Sequence, residues 1–148
     1  MVWKPHVTVA AIIEINGKFL LVEEQTSDGV KYNQPAGHLE FNESLVAAVK
    51  RETLEETAYI FEPEFVSGTY LWNKKDTQVS FLRVCFGGNI GTRNSNQALD
   101  HGILRTVWMD PDDIKNLGNK LRSPLVIASI TDYVNGVRLP LDTFKYIK

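Results

Sequence analysis

GHLEFNESLVAAVKRETLEETAY, residues 37–59, gathers acidic side chains where an ordinary helix would scatter them. A helix that starts near Asn42 to Ser44 and runs to about Ala58 sets Glu52, Glu55 and Glu56 at i,i+3 and i,i+4 spacing, on one face. At ~100° per residue that arc also holds Leu45, Ala48, Val49 and Tyr59, with Lys50 and Thr57 on the far side. The acids therefore point with the apolar side chains, toward the protein body or a cleft. They also fall in the last turns, where the macrodipole is negative and a carboxylate is disfavoured by about a few tenths of a kcal/mol or more. A charge run on a helix is usually a solvated face, but the shared apolar face and the unfavourable helix end both argue against that here. Arg51 neutralises only part of the charge, and a hydrated divalent cation is the simpler partner. Hard cations such as Mg²⁺ prefer oxygen ligands and are held by a few carboxylates plus substrate phosphates. The pattern points to phosphate chemistry.

Gly37, Glu43, Arg51, Glu52, Glu55 and Glu56 fall without insertion on the pattern G-x5-E-x7-R-E-U-x-E-E-x-G-U, with U apolar, and the stretch resembles the Nudix box. Two positions depart from it. Thr53 stands where an aliphatic residue is usual, and Ala58 replaces the second glycine, which would reach a left-handed helix exit more easily. The similarity covers most of the chain, through Lys4-Pro5-His6-Val7-Thr8-Val9-Ala10, Asn33-Gln34-Pro35-Ala36-Gly37-His38-Leu39-Glu40, Phe81-Leu82-Arg83 and Leu121-Arg122-Ser123-Pro124-Leu125-Val126. Within the family it resembles the NudJ-type bacterial phosphatases, which are associated with removing phosphate from nucleoside tri- and diphosphates and from the pyrimidine pyrophosphate precursor of thiamin.

The resemblance implies a Nudix fold, a three-layer α/β/α sandwich with a mixed sheet. It also implies a Mg²⁺-dependent hydrolase of phosphoanhydride bonds, with Mn²⁺ as a substitute ion. Glu52, Glu55 and Glu56 would bind the metal, with the main-chain carbonyl of Ala36 as a further ligand. Arg51 belongs to the same machinery, its expected part being an ion pair with Glu43 that fixes the loop after Gly37 and aims the carboxylates. Family members often place another acid on the loop leading into the last strand of the sheet. Here that segment reads Asp100-His101-Gly102, with Gly102 nearest the slot, so the acid is absent or comes from Asp100 on a shifted loop.

The remaining composition narrows the function. A chain of 148 residues, 43% apolar and 23% charged, is expected to form a single domain over residues 1–148. It contains no run of the ~18 to 20 apolar residues a membrane span needs, and Met1-Val2-Trp3-Lys4-Pro5-His6 lacks a signal-peptide core. A cytoplasmic location and no membrane partner are expected. A formal charge of −2 gives no basic stripe for polymeric nucleic acid, so a small phosphorylated substrate is the expected partner. No extra dimerisation segment stands out, which favours a monomer. The lone Cys85, in Phe81-Leu82-Arg83-Val84-Cys85-Phe86, reads as a small buried hydrophobe.

Along the chain, His6 to Ile15 and Lys18 to Glu24 read as a hairpin joined by Asn16-Gly17. A polar loop is expected from Gln25 to Lys31, then antiparallel strands from Phe65 to Trp72 and Val79 to Gly87. Gly87 to Gly102, rich in Gly, Asn and Ser, reads as a substrate loop or a plain connection. Arg105 to Met109 gives a strand, Asp110-Pro111-Asp112-Asp113 opens a helix, and another runs from Ser123-Pro124 to before Asn135-Gly136.

For the chemistry, Glu52 and Glu56 are the candidates for the general base, with a modest preference for Glu52. Arg83, a cation in an apolar strand, needs a partner, either a substrate phosphate or a structural salt bridge. Gln34 could read a polar edge of the substrate or serve a turn. His38 and His101 could contact phosphate, although scattered histidines are more often surface or turn residues. Of Trp3, Tyr70, Trp72 and Phe81, one or two are expected to reach the pocket. The same box would serve hydrolases of nucleotide sugars, dinucleoside polyphosphates or oxidised nucleotides. A non-catalytic nucleotide sensor would need a broken acid set, and Glu52, Glu55 and Glu56 are intact.

Overall fold

Along the first strand, β1 (His6–Ile12), successive side chains enter two different cores. Val9 and Ala11 pack with Ala48 and Val49 of helix α1 (Leu45–Thr57), whereas Ala10 and Ile12 pack with Ile114 of α2 (Pro111–Asn116) and with Val126 and Ile130 of α3 (Leu125–Val134). A strand covered on both faces must be apolar at every position, and residues 9–13 are. This alternation makes the three layers. The computed structural model describes residues 1–148, and in it β1 lies between β5 (Ala36–His38) and β7 (Ser80–Arg93). The β1–β7 pair is parallel, so the sheet is mixed. Beyond β7 come β6 (Tyr59–Asn73) and β9 (Leu139–Pro140).

A second sheet is built on β3 (Lys18–Thr26), which pairs with β2 (Glu14–Ile15), β4 (Gly29–Asn33) and β8 (Ile103–Met109). The Asn16-Gly17 turn forms as expected, with φ of 52° and 79°. Its hairpin joins only β2 to β3, because the chain breaks at Ile13 and β1 pairs in the other sheet. The loop expected from Gln25 to Lys31 is instead a tight turn into β4, closed by Thr26, whose hydroxyl donates to the Gly29 carbonyl at 2.7 Å. Likewise, much of the Gly87 to Gly102 connection is strand. β7 continues to Arg93 because β6 starts directly after α1 and pairs with it as far as Tyr59. The helix at Asp110 forms with its cap, the side chain accepting from the Asp113 N–H at 2.9 Å. Cys85 is fully buried, 3.3 Å from the Ser129 hydroxyl. No helix is long and apolar enough to cross a membrane.

Candidate active site

Ser44 starts α1 by accepting from the Ala47 N–H at 3.0 Å. Helical periodicity then buries Ala48 and Val49 and returns Glu52, Glu55 and Glu56 to the same side in the following turns. Thr53 fills an apolar position with a satisfied hydroxyl, which donates to the Val49 carbonyl at 2.7 Å. Lys50 is exposed, but Thr57 is buried, contrary to the helical-wheel expectation. The immediate turn into β6 covers it, with the Tyr59 N–H donating to its hydroxyl at 3.1 Å. Ala58 takes the left-handed exit at φ 62°, ψ 9°, and its N–H donates to the Leu54 carbonyl at 2.9 Å. Alanine adopts that geometry at a cost on the order of 1 kcal/mol.

Arg51 organises the loop. Its Nε and Nη2 donate to the two oxygens of Glu43 at 2.9 and 2.8 Å, and Nη2 also donates to the His38 carbonyl at 3.0 Å. Its Nη1 reaches Glu52 at 2.8 Å and Glu55 at 3.3 Å. The guanidinium holds the Glu43 carboxyl below the usual carboxylate range. This forked pair ties the chain after Gly37 to the helix. Gly37 itself lies against Glu52: a Cβ there would fall on the Glu52 carboxylate, so the close approach requires glycine.

Glu52, Glu55 and Asp100 each place a carboxylate oxygen within 4.8 Å of the others. Of the two readings of segment 100–102, this is the one with Asp100 on a shifted loop. The Asp100 N–H donates to the Glu55 carbonyl at 2.9 Å and anchors the loop. Glu56 stands beside this trio, accepting the Ala36 N–H at 2.9 Å. Burial pushes its carboxyl up to about 8; repulsion from Glu52, Glu24 and Asp100 adds to the shift and the Ala36 bond opposes it. Burial raises Glu52 as well, against the pull of Arg51. Ala36 touches the acids through its N–H. A crowded all-oxygen donor set with an under-compensated buried acid suits a hard divalent cation.

Next to Glu56, a cavity of about 260 Å³ runs from Ala36, Gly37 and His38 to an aromatic wall of Trp72 and Phe81. The two rings stack with centroids 5.6 Å apart. Trp3 and Tyr70 do not reach it. The Trp3 indole donates to the Gln78 carbonyl at 2.8 Å, and the Tyr70 hydroxyl donates to Asp132 at 2.6 Å. His38 lines the cavity with its Nε2 3.2 Å from His6 Nδ1; burial, then the neighbouring His6, lowers its pKa. His101 is exposed and lies outside the lining.

Arg83 lines the cavity at 5% exposure, but no salt bridge holds it. Its Nη1 donates to Gln34 Oε1 at 3.1 Å and its Nη2 to Asn33 Oδ1 at 3.3 Å. Gln34 is 1% exposed and lies behind the lining. Its Nε2 donates to the Val126 carbonyl at 3.0 Å, so both ends of the amide are engaged and it positions Arg83 rather than reading a substrate edge. Thr8, Asn33, Lys74 and Arg122 also line the cavity and were not singled out by the sequence. Thr8 carried a usable signal, a lone polar residue between Val7 and Val9, of the same kind that marked Arg83.

A family model described as NUDIX domain matches residues 4–128. The chain belongs to the Nudix hydrolase family. A curated relative, Phosphatase NudJ of Escherichia coli (strain K12), is 41% identical over 140 residues, which span 95% of this chain and 90% of that protein. The solved NUDIX hydrolase from Nitrosomonas europaea superposes with a TM-score of 0.93 at 44% identity, covering 97% of this chain and 98% of that one. The MutT protein from Methanosarcina mazei Go1 shares the fold at a TM-score of 0.71 and 22% identity, over 91% and 98% of the two chains. The enzyme is thus a Nudix hydrolase similar to a phosphatase.

Proposed function

We propose that this enzyme is a Mg²⁺-dependent phosphatase or pyrophosphatase, acting as one domain on nucleoside di- and triphosphates and on hydroxymethylpyrimidine pyrophosphate. The observation that carries this reading is the Glu52, Glu55 and Asp100 oxygen cluster, within 4.8 Å, beside the cavity that Glu56 lines. Glu52, Glu55, Glu56 and Asp100 would hold the metal, with the Ala36 carbonyl as a further ligand. The bound cation would neutralise phosphate oxygens and supply hydroxide near neutral pH. Arg51 holds Glu52 and Glu55 in place from behind. Glu52 and Glu56 are the two candidates for the general base; Glu56 is the one that lines the cavity, and a bound cation would oppose the upward shift that burial gives its carboxyl. Arg83 and His38 face the substrate from the cavity wall.

The test is a panel of pyrophosphate compounds with Mg²⁺ or with chelator, reading orthophosphate against pyrophosphate release. Chelator-sensitive orthophosphate release from several nucleotides supports the reading. Pyrophosphate plus nucleoside monophosphate would point instead to a pyrophosphohydrolase, and activity indifferent to chelator would reject the metal site.

A further inference from the structure

Thr8 and Arg83 are cross-strand partners in the parallel register of β1 and β7, and Thr8 is also opposite His38 of β5. The three side chains line one row of the cavity. The next row on the same face of the strands is aromatic, with His6 stacked on Phe81 at 5.1 Å and Phe81 on Trp72 at 5.6 Å. Thr8 and Arg83 are 7% and 5% exposed, and Thr8 Oγ1 and Arg83 Nε have no hydrogen-bond partner. Buried polar atoms left unpaired on two neighbouring residues of one cavity lining are rare enough to need an explanation.

Charge sharpens the point. A guanidinium stays protonated, and a buried cation is costly unless an anion meets it. Arg83 has only the neutral oxygens of Gln34 and Asn33. Of the acids on the same cavity wall, Glu56 acts on Arg83 only through space and accepts from the Ala36 N–H at 2.9 Å, and Glu24 pairs with Arg122 at 3.5 Å. The missing partner is an anion that enters through the cavity. A planar fork of N–H donors beside a hydroxyl suits tetrahedral phosphate oxygens.

We propose that Arg83 and Thr8 form a seat for the substrate's terminal phosphoryl group at the floor of the cavity, an anion site distinct from the carboxylate cluster. The seat deepens the hydrolase reading above and rests on it for the identity of the substrate. It makes orthophosphate the product that stays bound at the floor, and it selects substrates with a free terminal phosphate over those capped at that end.

The test uses the full chain in chelator, titrated with inorganic phosphate and followed by calorimetry, with an unphosphorylated nucleoside as the neutral probe. Saturable phosphate binding is expected, weakened at least about tenfold in Arg83→Met and about fivefold in Thr8→Val. Thr8→Val keeps the strand shape and decides the matter alone if the arginine variant does not fold. Phosphate binding that is absent, or unchanged in Thr8→Val, overturns the seat. So does a nucleoside affinity that responds to Thr8→Val while phosphate affinity does not, because the row would then read a ring edge. If no pyrophosphate compound is cleaved with Mg²⁺ but phosphate binding falls in both variants, the hydrolase reading fails and the seat stands. Hydrolysis with unresponsive phosphate binding removes the seat alone.

Discussion

Four carboxylates, Glu40, Glu43, Glu52 and Glu55, converge on Arg51, whereas Arg83 has none. Arg51 sits midway along α1, its side chain 23% exposed, where negative charge exceeds positive. Arg83, 5% exposed, lines the same cavity as Trp72 and Phe81 and is hydrogen-bonded only to amide oxygens. Arg51 is well paired with Glu43 but leaves Glu52 and Glu55 sharing one guanidinium nitrogen, and Arg83 has no ion pair at all. The first has an excess of negative charge and the second lacks it, and under the proposed function a cation carrying a phosphorylated substrate would supply both. Local departures from good pairing that a single ligand would repair are what a functional site looks like when the rest of the fold is well satisfied.

Removing charge at the acidic end is the most severe way to test this contrast. With Mg²⁺ present, Glu55→Gln and Glu56→Gln should each lower kcat/KM by on the order of 10²- to 10⁴-fold. Steady-state phosphate release that stays within threefold of the parent enzyme (roughly 0.6 kcal/mol) would reject the metal assignment. Gly37→Ala attacks the geometry and leaves the charges alone. Its Cβ would displace the Glu52 carboxylate, and a misplacement of about 1 Å costs on the order of 10²-fold in rate. A crystal structure of the variant with Glu52 unmoved would contradict this.

Stability of the metal-free protein tests the same end through protons. Glu56 titrates near 8 when folded, against 4.5 for the ordinary carboxyl, so the folded state holds its proton over that window and the unfolded state does not. Stability should therefore fall as pH rises from about 4.5 to about 8, by up to a few kcal/mol. Urea midpoints in chelator should be lower at pH 8 than at pH 6, and Glu56→Gln should flatten the difference. A steeper decline in the variant would mean that another group governs it. The smallest effect belongs to the helix exit. Ala58→Gly relieves a left-handed alanine but removes a buried methyl, so the net gain is expected below about 1 kcal/mol. A thermal midpoint clearly lower than the parent's would show that the methyl matters more than the backbone strain.

The acidic end was legible because its spacing is local. Glu52, Glu55 and Glu56 lie within five residues on one helix, and periodicity alone groups them. Even the loop acid could be narrowed to a short segment, although only the fold brings Asp100 beside Glu55. The cavity floor was not legible in this way. Thr8 and Arg83, 75 positions apart in the chain, meet through strand register, and register depends on both faces of the sheet being covered. Gln34 misled for a related reason: its partners, Val126 and Arg83, come from distant elements, so a turn residue in the sequence is a buried brace in the fold. The break at Ile13 and the short β4 and β9 are likewise decided by which sheet has room for them.

Thr8 of β1 is in register with His38 on one side and Arg83 on the other. One strand therefore works as a ruler between the two halves of the pocket, its gauge fixed by hydrogen-bond ladders at about 10 Å for two strand spacings. A ruler made of backbone does not stretch when side chains are exchanged. Evolution or engineering that seeks longer or shorter substrates must act on the open margin, at Lys74 and Arg122, and leave the gauge itself alone.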